Sequence, residues 1–272
     1  MTQRTWIYID GFNLYYRGLK DSPYKWLDLK KLCQTILDKT HKIEEIKYFT
    51  ATVSGKTDPH KPKNQQTYIK ALKEYTSGFS EYYGHFLSHD AWAILANPTD
   101  NQKFVKIIKT EEKGSDVNLA VHLLNDAWMN QYDCAVIISN DSDLAESISI
   151  VKKQHKKIIG LLLPPNCHPS KQLMRLADFI KTIRHATLAM SQLPYNIPGT
   201  NIKKPTKWVI ETELHEQKIS YTNLLVTDIK IASQENHEIS FSFRNKKEYF
   251  AGKALTIKDK LHIEKIEKLR NK

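Results

Sequence analysis

CAVIISNDSDL, residues 134–144, opens with five apolar residues in a row and then breaks into a polar, acid-rich turn. A strand apolar on both faces is buried on both faces, which is the habit of a central strand in a parallel sheet. On its N-terminal side lies the clearest helical pattern of the chain. Ser115 or Asp116 can cap it, and Val117, Ala120, Val121, Leu124, Ala127 and Trp128 recur at helical spacing. On its C-terminal side a helix over Asp141–Lys153 leads to a second buried strand, Lys157–Leu163, closed by Pro164-Pro165. A helix near Ser170–Leu176 and a strand near Phe179–Ile183 follow. Toward the N-terminus the alternation continues. Trp6–Asp10 is a short strand, Leu27–Leu37 a helix, Ile43–Val53 a strand, Ser54–Lys63 a polar loop and Gln65–Tyr75 a helix. Phe79–Leu87 is extended and aromatic, and Ser88–Glu112 is less regular, with room for a hairpin around Asn97-Pro98. Alternating strands and helices predict an α/β fold: three layers, with a mostly parallel sheet between helices on both faces.

The pattern changes near Leu188. Pro194, Pro198, Gly199 and Pro205 mark an extended connector, 191–208, after a main domain of residues 1–190. Beyond it, Ile219–Tyr221, Leu224–Ile231, Ile239–Phe243 and Tyr249–Phe250 predict a small strand-rich appendage, 209–272, ending in the charged stretch 257–272.

Across 272 residues, 41 Lys and Arg stand against 30 Asp and Glu, a formal net charge of +11. Such a surplus favours a polyanionic partner, most simply nucleic acid. The longest apolar run, Ile158–Leu163, is too short to span a bilayer, and the N-terminus shows no secretory signal. Cys33, Cys134 and Cys167 are odd in number and far apart, which predicts reduced thiols in a cytoplasmic protein.

In an open parallel sheet, ligands gather beyond the carboxyl ends of the strands. Three chain-distant segments bring acids to such places: Asp10-Gly11-Phe12-Asn13, Glu111-Glu112-Lys113-Gly114-Ser115-Asp116, and Asn140-Asp141-Ser142-Asp143. Packed carboxylates repel one another and call for a cation. Hard oxygen donors with open positions suit Mg²⁺ or Mn²⁺. With the ion in place, the same acids become a site for phosphate and for water activation. Singly, each acid could as well be a turn or helix-cap residue, and Glu111 and Glu112 could be solvated surface.

IDGFNL (9–14), EKGSDV (112–117) and ISNDSDL (138–144) resemble, in order and interval, the three motifs of NYN domains, a family of PIN-like nucleases. The stretch Pro194–Trp208 resembles the end of many bacterial members, so the likeness spans residues 1–208. It implies a PIN-like three-layer α/β/α fold and metal-dependent phosphodiester cleavage, mostly of RNA. By motif, Asp10, Asp116 and Asp141 would be the principal metal acids, with Asp143 an additional ligand. Asn13 would orient a ligand or the scissile phosphate, and Lys113 would neutralise carboxylates or contact phosphate. Asn140 departs from the family's frequent glycine, and Leu144 from its frequent phenylalanine. An asparagine tolerates a left-handed backbone, so the turn is expected to survive.

Two basic stretches are candidates to follow a phosphate backbone: Lys61, Lys63 and Lys70 with Tyr68, and Lys203, Lys204 and Lys207 with Trp208. Their competing reading is a solvated face over core aromatics. His85 and His89 form a weak zinc candidate, and Asp178 is better read as a turn or cap. The expected function is thus a Mg²⁺- or Mn²⁺-dependent endonuclease acting on RNA ahead of DNA, with no membrane partner and a homodimer left open. A non-catalytic nucleic-acid-binding module and small-molecule chemistry on the same scaffold are the alternatives.

Overall fold

The computed structural model describes residues 2–55, 58–99, 102–165 and 167–209, and the backbone of 229–235, 238–244 and 249–254. Two compact units are present, Met1–Trp208 and Val209–Lys272. In the first, the main strands are β1 (Gln3–Asp10), β2 (His41–Ala51), β3 (Phe79–Thr99), β4 (Gln102–Lys113), β5 (Cys134–Ile138), β6 (Ile158–Leu163) and β7 (Phe179–Thr182). They form one sheet in the order β4-β3-β2-β1-β5-β6-β7. Every pairing is parallel except β3 with β4.

The helices are α1 (Gly11–Leu14, continued by a π turn over Tyr15–Leu19), α2 (Leu29–Ile36), α3 (His60–Tyr75), α4 (Ser115–Trp128), α5 (Ala145–His155), α6 (Lys171–Leu176) and α7 (His185–Met190). Strand alternation sorts them into layers. Ile7, Ile9, Val136 and Ile138 point into a core with Leu14, Leu29, Leu32, Leu72 and Leu188, from α1, α2, α3 and α7. Tyr8, Ala135 and Ile137 point the other way, toward Leu119, Leu123, Ile148, Val151 and Leu173, from α4, α5 and α6. All five residues of β5 are buried, as their unbroken apolarity demands.

The structure corrects several local expectations. The buried side of α4 carries Leu119, Leu123 and Ala127, while Val117, Val121 and Trp128 are exposed. Of the residues expected on one face, Ala127 is buried and Ala120 and Leu124 pack against the core, so the expected and observed faces overlap in part. Neither Ser115 nor Asp116 caps α4. Gly114 does, at φ +95°, where a side chain would be strained. The cap bonds come from Glu112, whose carboxylate accepts from Ser115 N at 3.1 Å and Ser115 Oγ at 2.7 Å.

The region expected to be less regular, with room for a hairpin around Asn97-Pro98, is a long and regular hairpin. Its pairing runs from His85↔Lys113 to Ile94↔Phe104 and resumes at Thr99↔Gln102, with Pro98 in the unpaired bulge. Its N-terminal end, Phe79–Gly84, pairs with β2.

The stretch 191–208 is extended, and it packs on its own unit. Pro194 O accepts from Trp26 Nε1 at 2.9 Å, Leu193 and Ile197 are buried, and Trp208 lies against Trp26 and Tyr68. The second unit contains a three-stranded antiparallel sheet, β8 (Ile229–Glu235), β9 (Glu238–Arg244) and β10 (Tyr249–Ala254), in the order β10-β9-β8. The predicted strand at 219–221 and the charged stretch 257–272 lie outside the described residues.

Candidate active site

The chain builds the sheet outward from β1 through β2 to β3, then crosses back to place β5 on the other side of β1. Diverging connections leave a crevice at the carboxyl ends of β1 and β5. An open cleft of about 360 Å³ lies there, lined by Asp10, Phe12, Asn13, Tyr16, Arg17, Phe86, Glu112, Ser115, Asp116 and Asp141. Asp10, Asp116 and Asp141, expected together, do share this cavity.

Asp10 ends β1 and caps α1, and it is 4% exposed. Its Oδ1 accepts from Asn13 N at 2.8 Å and its Oδ2 from Ser139 Oγ at 3.0 Å. Burial pushes its pKa up against the lowering effect of these bonds, and Asp141 adds to the rise. Asn13 braces the two strand ends, its Oδ1 accepting from Asn140 N at 3.2 Å. Gly11 is needed beside it, since a Cβ there would stand 2.6 Å from the Tyr48 ring and 2.8 Å from the Phe49 carbonyl oxygen.

Asp141 caps the 3₁₀ turn Ser142–Leu144, accepting from Asp143 N at 3.0 Å. Asn140 has no left-handed backbone. Its side chain instead pins the loop before α6, donating to His168 O at 2.7 Å and accepting from Ser170 N at 2.8 Å. Asp116 sits in the first turn of α4 with its pKa pushed up to about 6. Desolvation is the main cause, followed by Asp10, Asp141, Glu112 and Asp143. A carboxyl that resists ionising among four other acids marks a place where negative charge is in excess and a cation would relieve it.

Other expected residues stand elsewhere. Asp143 is exposed and does not line the cleft, and Lys113 points to Glu111 at 3.2 Å. Of the two glutamates, Glu112 enters the site and Glu111 does not, because consecutive strand residues face opposite sides.

None of the six lysines expected to meet nucleic acid lines the cleft. Lys61, Lys63, Lys70 and Lys203 are exposed, and Lys207 pairs with Asp58 at 3.6 Å. Lys204 is 4% exposed, so its place as a surface phosphate contact is corrected. Tyr68 is buried and Trp208 packs against it, so neither ring is presented for base stacking. His85 and His89 share a strand face but stand about 13 Å apart along it, too far for one zinc ion. Asp178 fastens β6 to α5 through Ile159 N at 2.9 Å and Lys152 Nζ at 2.8 Å.

The sequence reading missed the aromatic wall. Phe12 meets Phe86 edge to face, with centroids 5.8 Å apart, and stacks with Tyr16 at 6.3 Å. Tyr16 and Arg17 are exposed, on a π turn, a form of helix that recurs at functional sites. The available signal was YYRGL directly after the first acidic motif, where a helix continues past Asn13.

A hard divalent ion fits the donor chemistry of the cleft. Among the described residues, however, no three acid, His or Cys side chains close around one point.

The sequence profile of the NYN domain matches residues 4–183. A Pseudomonas putida protein named 6-hydroxy-3-succinoylpyridine 3-monooxygenase is 32% identical over 243 residues, covering 79% of this chain and 78% of that one. A Vibrio parahaemolyticus protein of unknown function, solved by crystallography, superposes with a TM-score of 0.47 at 16% identity, covering 68% of this chain and 94% of that one. No helix among the described residues is long and apolar enough to cross a membrane. On the extent of the profile match and the identity to its relative, this chain belongs to the NYN domain family.

Proposed function

We propose that the chain is a metal-dependent phosphodiester hydrolase, an endonuclease acting on RNA ahead of DNA. The observation that carries this reading is the convergence of Asp10, Glu112, Asp116 and Asp141 on one open cleft, with the Asp116 carboxyl raised to about 6. Asp10, Asp116 and Asp141 would hold Mg²⁺ or Mn²⁺, some directly and some through water. When bound, such an ion supplies a Lewis acid for phosphoryl oxygen and lowers the pKa of water.

The chain's own residues do the rest. Asn13 N–H and the Ser139 hydroxyl orient the Asp10 carboxyl and oppose the rise in its pKa that burial imposes. The Asn13 amide ties the β1 and β5 ends together, so the acids keep their spacing as substrate enters. Arg17 at the rim offers a planar cation to a phosphate, and the exposed Tyr16 ring offers a face to a base. In-line attack by water would leave a 5′-phosphate and a 3′-hydroxyl. The cytoplasm is the proposed location.

Labelled single-stranded RNA incubated with the protein and Mn²⁺ is expected to be cut, and a chelator to stop the cutting. Asp141→Asn should lower the rate at least 10²-fold (about 2.7 kcal/mol) while RNA affinity and fold remain. RNA binding without chelator-sensitive cleavage would instead identify a non-catalytic binding module.

A second reading draws on the Phe12–Phe86 wall and on the relative's name: an aromatic small molecule seated against those rings, on the same scaffold. Its discriminating result is saturable binding of a hydroxypyridine by a protein that leaves RNA intact.

A further inference from the structure

We propose that the β3–β4 hairpin is a dimerisation arm, and that its occupant is the same arm of a second copy of this chain. Beyond Gly84, β3 leaves β2 and pairs with β4 alone. Ten consecutive pairs, His85↔Lys113 to Ile94↔Phe104, give a two-stranded ribbon about 30 Å long. A two-stranded ribbon is marginal in water by itself. This one also carries apolar side chains in the open: Trp92 is 71% exposed, Ile94 74%, Ile108 74% and Phe104 54%. The register places these four on one face, with Lys106 paired to Asp90 among them. That face is the one that begins with Phe86 and Glu112 at the cleft.

Charge distinguishes the occupant. The chain as a whole carries +11, yet residues 85–113 hold four lysines and four acids. A track for nucleic acid would concentrate the surplus cations, since phosphate contacts dominate such affinity. This ribbon has none to spare, and its neutrality removes the repulsion that two copies of a basic chain would otherwise meet there. Area points the same way. The four residues offer roughly 600 Å² per copy, so a pair would bury about 1,200 Å², the lower bound for a stable specific interface. Two arms packed face to face about a two-fold axis close the assembly, and neither apolar face stays open to recruit further copies. Because the face runs into Phe86 and Glu112, the second copy would also extend the wall of the cleft.

The test is the solution mass of the full chain, by light scattering on a sizing column at 5 and 50 μM. The expected mass is twice the 31.6 kDa of one chain. Trp92→Glu with Ile108→Glu should return it to one chain, with circular dichroism and thermal midpoint unchanged because both side chains are exposed. A wild type that stays at one chain mass at 50 μM would overturn the proposal, as would a dimer that survives both substitutions. A one-chain wild type whose Trp92 variant loses RNA binding would overturn it in favour of a nucleic-acid track. The mass does not depend on cleavage, so this proposal and the hydrolase reading fail separately.

Discussion

Asp116 is where local chemistry meets measurable stability. Its carboxyl titrates near 6 in the folded protein against an ordinary value of 3.8. Between those values the folded state holds the proton more tightly than the unfolded chain, so stability falls as pH rises from about 4 to about 6. The contribution is complete below about 4 and absent above about 6. In metal-free protein, Asp116→Asn should remove this slope. It should also stabilise the fold at pH 7 by roughly 1 kcal/mol, less than the whole shift because the side chain is partly open to water. Urea midpoints of wild type and variant at pH 4.5 and 7 in chelator would show it, and an unchanged difference between the two pH values would contradict it. Asn140 shows what sequence cannot show at this scale. Its identity suggested backbone tolerance, whereas its function is two side-chain hydrogen bonds to a loop 28 and 30 residues away.

At the scale of elements, α4 is fixed to the sheet by a buried polar cluster as well as by leucines. Asp126 pairs with Lys47 at 2.6 Å and accepts from Tyr8 Oη at 2.8 Å, all in near-complete burial. His122 stands 3.3 Å from Lys47 Nζ, and its pKa is lowered by burial and by that cation. Asp126→Ala would leave the ammonium without its counter-charge and should cost about 3–5 kcal/mol in urea unfolding. Lys47→Met combined with Asp126→Leu takes these partners from the buried Tyr8 hydroxyl and from the half-buried His122 ring, and should cost about 1–3 kcal/mol, chiefly for the hydroxyl. A double variant less stable than Asp126→Ala would contradict this account.

The same helix explains how far the sequence could be read. The alternation of buried strands and helices was legible because β5 and β6 are continuous apolar runs. The acids at strand ends were legible because topology fixes where strand ends meet. The inward face of α4 was legible only in part, since the buried Asp126 interrupts the apolar repeat of Leu119, Leu123 and Ala127. The β3–β4 ribbon was legible only as room for a hairpin around Asn97-Pro98; its length and regularity were not, because its two faces are both exposed and its alternation has no buried side to reveal it.

For the whole molecule, the placement of 191–208 carries a consequence. Composition reads this stretch as a connector, yet its backbone and side chains close the core around Trp26. A chain ending at residue 208 should fold with a cooperative transition. One ending at 190 loses the burial of Leu193, Ile197 and Trp208 and should be less stable by about 5 kcal/mol. Equal thermal midpoints for the two truncations would show that the stretch is a mere tether. Its proline and glycine content signalled irregular backbone correctly, but contacts made across more than 160 residues leave no local trace in composition.

The central claim is that carboxylates from three distant segments share one cation. Mn²⁺ binding to the metal-free protein, followed by electron paramagnetic resonance of the free ion, tests it most directly. Saturable uptake that Asp10→Asn and Asp116→Asn each weaken at least tenfold is predicted; uptake that is absent from the wild type, or indifferent to both substitutions, would contradict it.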